Sequence, residues 1–402
     1  MNSIRKTKKM KQLSILGSVW DHAPSVKLFD IYFESRFISF YNPWLKGYID
    51  KEKIYCCNEK KTYFWLFPWK AITRTIVIMR SILSWRPDVI VTHHDEGILS
   101  CIPVLLFYRL FLKKKVKFVG FVRRGAQEYF SDSLRTAILR KIIPLVYPVF
   151  DVILTPSIGN CKQLQKFFNL RNVHHLYNPV DIEKYLVQSE KRVMDVIQKD
   201  TFRFIAIGRL VQQKAYDRLI NAFSLVVKQY PAAKLVILGE GELQDDIQKH
   251  ISALGLGDSI QLLGHIKNVF PYIRMADCMI LASYWESFGN VIVEALALNK
   301  LVISCDCQSG PREILAPELG VDEAIKYPYF GKFGILTSPF SLRKYCVSGD
   351  EPDVEEKNLA NIMVKIVGNK GIRKRYCKVN KAVERFNFHI VASQLNKVLG
   401  VK

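Results

Sequence analysis

Short apolar runs recur along the chain, and each closes on a glycine or a polar cluster. Leu13 to Leu16 reads as a first buried strand ending at Gly17-Ser18. Asp88 to Thr92 (DVIVT), Val116 to Val122 (VKFVGFV) and Asp151 to Thr155 (DVILT) read as three more, with a helical stretch from Leu134 to Val146. A second series begins with Phe202 to Ile207 and continues through Lys234 to Leu238, Ile260 to Leu263, Met279 to Ala282 and Leu301 to Ser304. Helical patterns separate these strands. Tyr216 to Gln229 places Leu219, Ile220, Phe223, Val226 and Val227 at helical spacing, and Glu242 to Leu254 and Val291 to Leu298 follow. Strands alternating with helices predict an α/β protein with parallel, doubly wound sheets. The charge-rich stretch Ile182 to Asp200 reads as a linker (182–200) between domains 1–181 and 201–385. Ile31 to Pro68 is irregular and aromatic and receives no assignment.

Ligands of such sheets gather beyond the carboxyl ends of the strands. Arg209, Gly239, His265, Glu286 and Asp306 all fall at that edge. The densest chemistry lies in Ser283 to Leu315. Glu286 stands in a loop, Phe288-Gly289-Asn290 opens the next helix, and Glu294 lies in that helix's first turns. A helix N-terminus offers free N–H groups and a positive dipole end, so a phosphate can dock there with one carboxylate on either side. A nucleotide-sugar has that shape: sugar, diphosphate, ribose.

The Glu-x7-Glu pattern of Glu286 and Glu294 resembles that of retaining glycosyltransferases of family four, which have the GT-B fold. Gly208-Arg209-Leu210-Val211-Gln212-Gln213-Lys214 resembles that family's G-R-L-x-x-x-K loop. Leu238-Gly239-Glu240-Gly241 and Tyr177-Asn178-Pro179-Val180-Asp181 match as well, all in family order between about residues 150 and 340. The resemblance implies two Rossmann-like domains facing a cleft, with a last helix (386–402) packing back on the N-terminal domain.

It also implies roles. Arg209 and Lys214 would hold the donor diphosphate and stabilise the leaving nucleoside diphosphate, and Glu286 would contact hydroxyls of the donor sugar. Those three are the candidate catalytic residues. Glu294 would accept from ribose hydroxyls. Gly208, Gly239 and Gly241 would let backbone approach the ligand, and His265 and Ile266 fall where the nucleobase sits. Backbone N–H groups at Ser287, Phe288, Gly289, Asn290 and Val291 would meet the phosphates. The N-terminal domain would bind the acceptor. Many family members carry a histidine after the strand equivalent to 117–122, whereas this chain has Arg123-Arg124. His93 and His94, after the preceding strand, are candidates to line the cleft instead, with a structural role as the alternative. Arg123 and Arg124 suggest an anionic acceptor such as a lipid-linked diphosphate. The match of CDCQSGPREIL to bacterial enzymes extending lipid-linked or surface glycans makes a UDP-sugar, hexose or N-acetylhexosamine, the expected donor. With Arg209, Lys214 and a helix dipole to neutralise phosphate, and no Asp-x-Asp motif beside the donor site, neither metal nor other cofactor is expected. Both Lys214 and Glu286 read as surface-loop residues whose truncation should spare the fold.

Composition narrows the partners. The chain carries 59 Lys+Arg against 37 Asp+Glu, a net charge of +22. Residues 1–185 hold 30 of those bases and 14 of the acids, a difference of +16. Such a half wants an anionic partner, either a membrane surface or nucleic acid. Tyr41, Trp44, Tyr63, Trp65, Phe67 and Trp69 interleave with the bases, as rings at a bilayer interface do, although core packing explains them equally. Ile98 to Leu112, ending in Lys113-Lys114-Lys115, is too short to span and reads as buried or interfacial. No apolar signal core follows the basic N-terminal residues. Nine scattered cysteines fit a reducing compartment and buried thiols. The expectation is a cytoplasmic enzyme, peripheral on the inner face of the cell membrane. Its rivals are an inactive GT-B binding subunit, a phosphorylase of the same fold, and a nucleic-acid-binding protein, for which no motif is present.

Overall fold

The computed structural model describes residues 10–16, 27–28, 30, 32–40, 51–57, 68–112, 116–130, 133–191, 201–307, 309–347 and 351–400. The aromatics Tyr41, Trp44, Tyr63, Trp65 and Phe67, the Lys113–Lys115 run and residues 192–200 lie outside them. The chain divides into two compact α/β units. One comprises Met1–Pro179 with Phe388–Lys402, the other Val180–Asn387.

The first unit is built on a parallel seven-stranded sheet. Its strands are β1 (Lys11–Leu16), β2 (Glu34–Ser39), β3 (Ile54–Cys56), β4 (Val89–His93), β5 (Lys117–Phe121), β6 (Val152–Thr155) and β7 (Val173–His175). They lie in the order β3-β2-β1-β4-β5-β6-β7. Strand order reverses between β1 and β4. Buried apolar residues alternate between the two faces, as a period of two demands. Ile90, Phe118 and Ile153 enter one core; Val89, Val91, Val119, Phe121, Val152 and Leu154 enter the other. Four helices cover the first face: α1 (Pro68–Trp85), α2 (His94–Phe107), α3 (Leu134–Val146) and α4 (Ile158–Phe168). Ser133 and Ser157 cap α3 and α4 by accepting from Thr136 and Asn160 amides. The second face is closed by the C-terminal helix Phe388–Leu399, through Val391, Ala392, Leu395 and Leu399.

The second unit carries β8 (Arg203–Ile207), β9 (Lys234–Leu238), β10 (Ile260–Leu262), β11 (Cys278–Leu281), β12 (Leu301–Cys305), β13 (Tyr329–Phe330) and β14 (Ile335–Thr337). Their order is β10-β9-β8-β11-β12-β14-β13, parallel except for the β13/β14 pair. The helices include α5 (Ile182–Ser189), α6 (Tyr216–Gln229), α7 (Gln244–Ala253), α8 (Phe270–Met275), α9 (Asn290–Ala297), α10 (Gly310–Leu315) and α11 (Val354–Gly368). The reversal falls between β8 and β11.

Two expectations are corrected. The stretch beginning at Ile182 is a helix, not a linker, up to Ser189. Asp181 caps it by accepting from the Lys184 amide at 3.2 Å, and Tyr185 stacks on Phe270 of α8 with centroids 4.5 Å apart. The region 31–68, left unassigned, contains β2 and β3. In β2 the outward positions hold Glu34 and Arg36, which masks its apolar content; Arg36 lies over the Trp85 ring at 4.0 Å.

The C-terminal helix is therefore part of the first unit's core. Leu395 is 1% exposed, so Leu395→Ala should cost about 2–5 kcal/mol, a transfer loss plus a cavity. Urea unfolding followed by hydrogen exchange should place that loss in β4, β5 and β6. Protection unchanged in those strands would contradict the packing described.

Candidate functional site

In the second unit the loops after β8 and β11 meet at the reversal of strand order. The β8 loop is interlocked with the loop after β9. Gly208 N–H donates to Leu238 O at 3.0 Å, Leu210 N–H to Glu240 O at 2.9 Å, and Leu243 N–H to Leu210 O at 3.0 Å. A side chain at Gly239 would overlap the Gly208 carbonyl, and one at Gly241 the Leu210 carbonyl. Those two glycines admit protein backbone, a requirement separate from the expected approach to a ligand. Their effect is to fix the course of the loop bearing Arg209.

Arg209 is exposed at the strand end. The Lys214 side chain returns across Gly208, and its ammonium donates to Glu286 Oε1. Only 14% of the Lys214 side chain and 9% of that of Glu286 are exposed. The same carboxylate oxygen accepts from Ser283 Oγ at 2.8 Å, and Ser309 Oγ donates to the Glu286 carbonyl at 2.5 Å. Gln213 adds a second tie, donating from Nε2 to Trp285 O at 2.7 Å and accepting from the Tyr284 amide at 2.9 Å. Ser283, Ser309 and Gln213 were not singled out in the sequence. A Gln-Gln pair and isolated serines carry no spacing signal, and only the fold brings them to Glu286.

Helix α9 starts at Asn290 without a side-chain cap. Gly289, at φ 89°, makes the turn into it. Ser287 and Val291 are half-buried and Asn290 is exposed beside that terminus. The Phe288 ring is buried edge-on against Phe386, centroids 5.2 Å apart, so its side chain is a packing anchor. Glu294 is half-buried, and burial pushes its carboxyl up to about 7. His265 is exposed and Ile266 half-buried, in the loop after β10. Asp306 is engaged elsewhere, in a buried pair with Arg312 at 2.5 Å that Tyr327 joins at 2.9 Å.

In the first unit, His93 ends β4 and is fully buried, with Nε2 3.4 Å from Ser14 Oγ. Burial, reinforced by Arg123, pushes it well down. His94, at φ 63°, is pushed down to about 4, again by burial first and Arg123 second. Both rings are thus neutral near pH 7. Arg123 donates to Asn178 Oδ1 at 2.9 Å and lies over Phe121. Arg124 pairs with Asp95 at 3.1 Å and with Glu128 at 2.5 Å. Asp95 also accepts from Tyr129 and Tyr147 at 2.7 and 2.8 Å. Burial alone would raise its carboxyl; Arg124 and the two hydroxyls outweigh burial and hold it below its ordinary value. Both arginines therefore have partners within their own unit.

Two predictions follow from this geometry. Removing either member of the Lys214–Glu286 pair strands a mostly buried charge, so Lys214→Ala or Glu286→Ala should cost about 1–3 kcal/mol, not spare the fold. The double variant should lose less than the sum, a coupling that denaturant titration of all four proteins measures. Glu294 acts in the opposite sense to an ordinary paired carboxylate. Its native carboxyl is raised from 4.5 to about 7, so the folded state holds the proton that the unfolded state releases. The penalty is absent at low pH, grows from about 4.5 upward and is complete above about 7. Glu294→Gln should stabilise the ligand-free protein at pH 8 by on the order of 2 kcal/mol and leave it unchanged near pH 4. A pH-independent difference in melting would refute this.

The chain resembles known proteins over most of its length. The model of the glycosyl transferases group 1 family matches residues 187–321. An uncharacterized glycosyltransferase of Methanocaldococcus jannaschii is 41% identical over 377 residues, 92% of this chain and 93% of that one. A Campylobacter jejuni N-acetylgalactosamine-N,N'-diacetylbacillosaminyl-diphospho-undecaprenol 4-alpha-N-acetylgalactosaminyltransferase is 31% identical over 217 residues, 54% of this chain and 58% of that one. Among solved structures, Anabaena HepE in complex with UDP superposes with a TM-score of 0.73 at 16% identity, over 98% of this chain and 100% of that one. The chain belongs to the group 1 glycosyltransferases, with the GT-B fold.

Proposed function

We propose that this glycosyltransferase moves a hexose or N-acetylhexosamine from a UDP-sugar, with retention, to a glycan or lipid-linked acceptor of surface polysaccharide synthesis, without a divalent metal. The observation that carries the reading is the meeting of the Lys214–Glu286 pair, Arg209 and the uncapped start of α9 at one reversal of strand order. Support for UDP comes from the Anabaena neighbour, whose structures hold UDP and UDP-glucose. Support for a lipid-linked acceptor comes from the Campylobacter relative, named for a diphospho-undecaprenol substrate.

In this reading Arg209 and Lys214 neutralise the diphosphate, and N–H groups from Ser287 to Val291 receive its oxygens at the positive end of α9. Lys214 is already held by Glu286, so phosphate binding shares its three donors between carboxylate and ligand. Glu286, kept in place by Ser283, is then free to turn an oxygen toward the sugar hydroxyls. Glu294 would accept from ribose hydroxyls; a carboxylate raised by burial regains its charge when such donors arrive. His265 and Ile266 flank the base. As the sugar–oxygen bond breaks, negative charge gathers on the departing diphosphate, and the two cations with the helix terminus stabilise it there. Those groups do the work a divalent ion would otherwise do.

UDP should raise the melting temperature in the presence of EDTA. At a concentration of 100 times Kd the gain is about 2.7 kcal/mol. Loss of the shift with EDTA, or its appearance only with magnesium or manganese, would overturn the metal-free assignment. No shift with any nucleoside diphosphate would overturn the donor site. Lys214→Ala should lower kcat by about 10²–10³, the usual effect of losing one transition-state stabiliser. Assaying it at a temperature well below its reduced melting point separates that loss from the stability cost.

A further inference from the structure

Helices α1 to α4 send their inward side chains into one core, including Ile78, Ile98, Leu139 and Leu164, so their outward sides share a direction away from the sheet. That outward surface is apolar in an unusual degree. On α3, Leu134 is 81% and Leu145 75% exposed, with Ile138 at 41%. At about 100° per residue, Leu134, Ile138, Lys141 and Leu145 fall within one stripe. Phe130 and Phe167 pack edge to face beside α3, centroids 4.9 Å apart, yet both remain exposed. Arg140 lies over the Phe130 ring at 5.6 Å, which puts cation and apolar surface in direct contact. Ile72, Ile76 and Leu83 of α1 and Leu110 and Phe111 beyond α2 are exposed too.

The charges carried by α3 and α4 have one sign. Arg135, Arg140 and Lys141 on α3, and Lys162 and Lys166 on α4, are exposed. Neither helix contains an aspartate or glutamate, nor does α1. A helix facing only water mixes both signs and keeps its leucines inward. Contiguous exposed apolar surface marks an interaction site.

We infer that the outward face of α3 and α4, with the Phe130 segment, docks on an anionic lipid bilayer. Charge complementarity selects this occupant. A second copy of the chain in a two-fold contact would set this cationic face against itself. Nucleic acid would satisfy the cations but leave Leu134, Ile138 and Leu145 without an apolar partner. A bilayer interface takes both: the leucines and phenylalanines enter the acyl boundary, and the bases meet anionic headgroups. No helix of the described residues is long and apolar enough to cross a membrane, so attachment is peripheral. This inference does not depend on the donor or acceptor assigned above.

The test is cosedimentation of the full chain with mixed phosphatidylglycerol–phosphatidylcholine vesicles and with phosphatidylcholine alone. Binding is expected to the first and not the second. At 1 M salt, where the Debye length is about 3 Å, it should be lost. Each basic residue near an anionic leaflet is worth roughly fivefold in partitioning, so Arg140→Glu/Lys141→Glu/Lys166→Glu should abolish binding. Leu134→Ser/Leu145→Ser should weaken it at least tenfold. All five positions are exposed, so thermal melting and the response to UDP serve as controls that should not change. Failure to bind anionic vesicles, equal binding to neutral ones, or binding that survives both variants would overturn the inference. So would a dimer in sedimentation velocity that the two-leucine variant dissociates.

Discussion

The ion pair between Lys214 and Glu286 is the contact on which the second unit's functional edge depends. It joins two loops that leave neighbouring strands, β8 and β11, where strand order reverses. An exposed pair would contribute little. This one is mostly withdrawn from water, so neither charge can be left alone without a desolvation cost. Gln213 repeats the tie through backbone groups, and Ser283 and Ser309 fix the glutamate from the other side. The loops are thereby preorganised before any ligand arrives, which is what an electrostatic catalyst requires of its charges. Arg209 is the exposed complement, on a loop whose path the Gly239 and Gly241 contacts impose.

Much of this edge was legible in the sequence because it is built from short, local signals. Strands of the second unit are runs of Ile, Val and Leu buried on both faces, and they stop at residues that mark a turn. The Tyr216–Gln229 and Lys234–Leu238 elements appear with the expected bounds for that reason. Residues joined across loops were not legible. Nothing near Glu286 in sequence indicates that Lys214 neutralises it or that Ser309 holds its carbonyl. Nor does the chain announce that Gly239 and Gly241 are small because protein backbone crosses them. The helix Ile182–Ser189 was hidden by its polar outer face; its identity rests on a cap at Asp181 and one stacked tyrosine. Strand β2 was hidden in the same way, by charges at its exposed positions.

The basic residues illustrate a related limit. Counting charge along the chain locates an excess but not its use. Arg123 and Arg124 stand where an acceptor could be met, yet Asn178, Asp95 and Glu128 engage them. Arg74, among the most deeply buried side chains, pairs with Glu96 at 2.9 Å and lies over Phe40. Such arginines are internal parts of the fold. Other bases, among them Arg140, Lys141 and Lys166, lie exposed on α3 and α4 beside exposed leucines. Excess charge acquires meaning only after the paired charges have been subtracted.

Burial acts against the charged form in both units, and the partners each group has decide the outcome. In the first unit it drives His93 and His94 neutral, while Asp95, equally deep, stays charged because one arginine and two tyrosines compensate it. In the second unit Glu294 has no comparable compensation and is held near the edge of protonation at neutral pH. A carboxylate with all its partners supplied by the fold is finished structure. One whose charge is penalised in the empty protein is poised to gain from donors that a ligand brings, since those donors remove the penalty as they bind. That contrast separates Glu294 from Asp95 and Asp306, carboxylates whose charge is already engaged by neighbours.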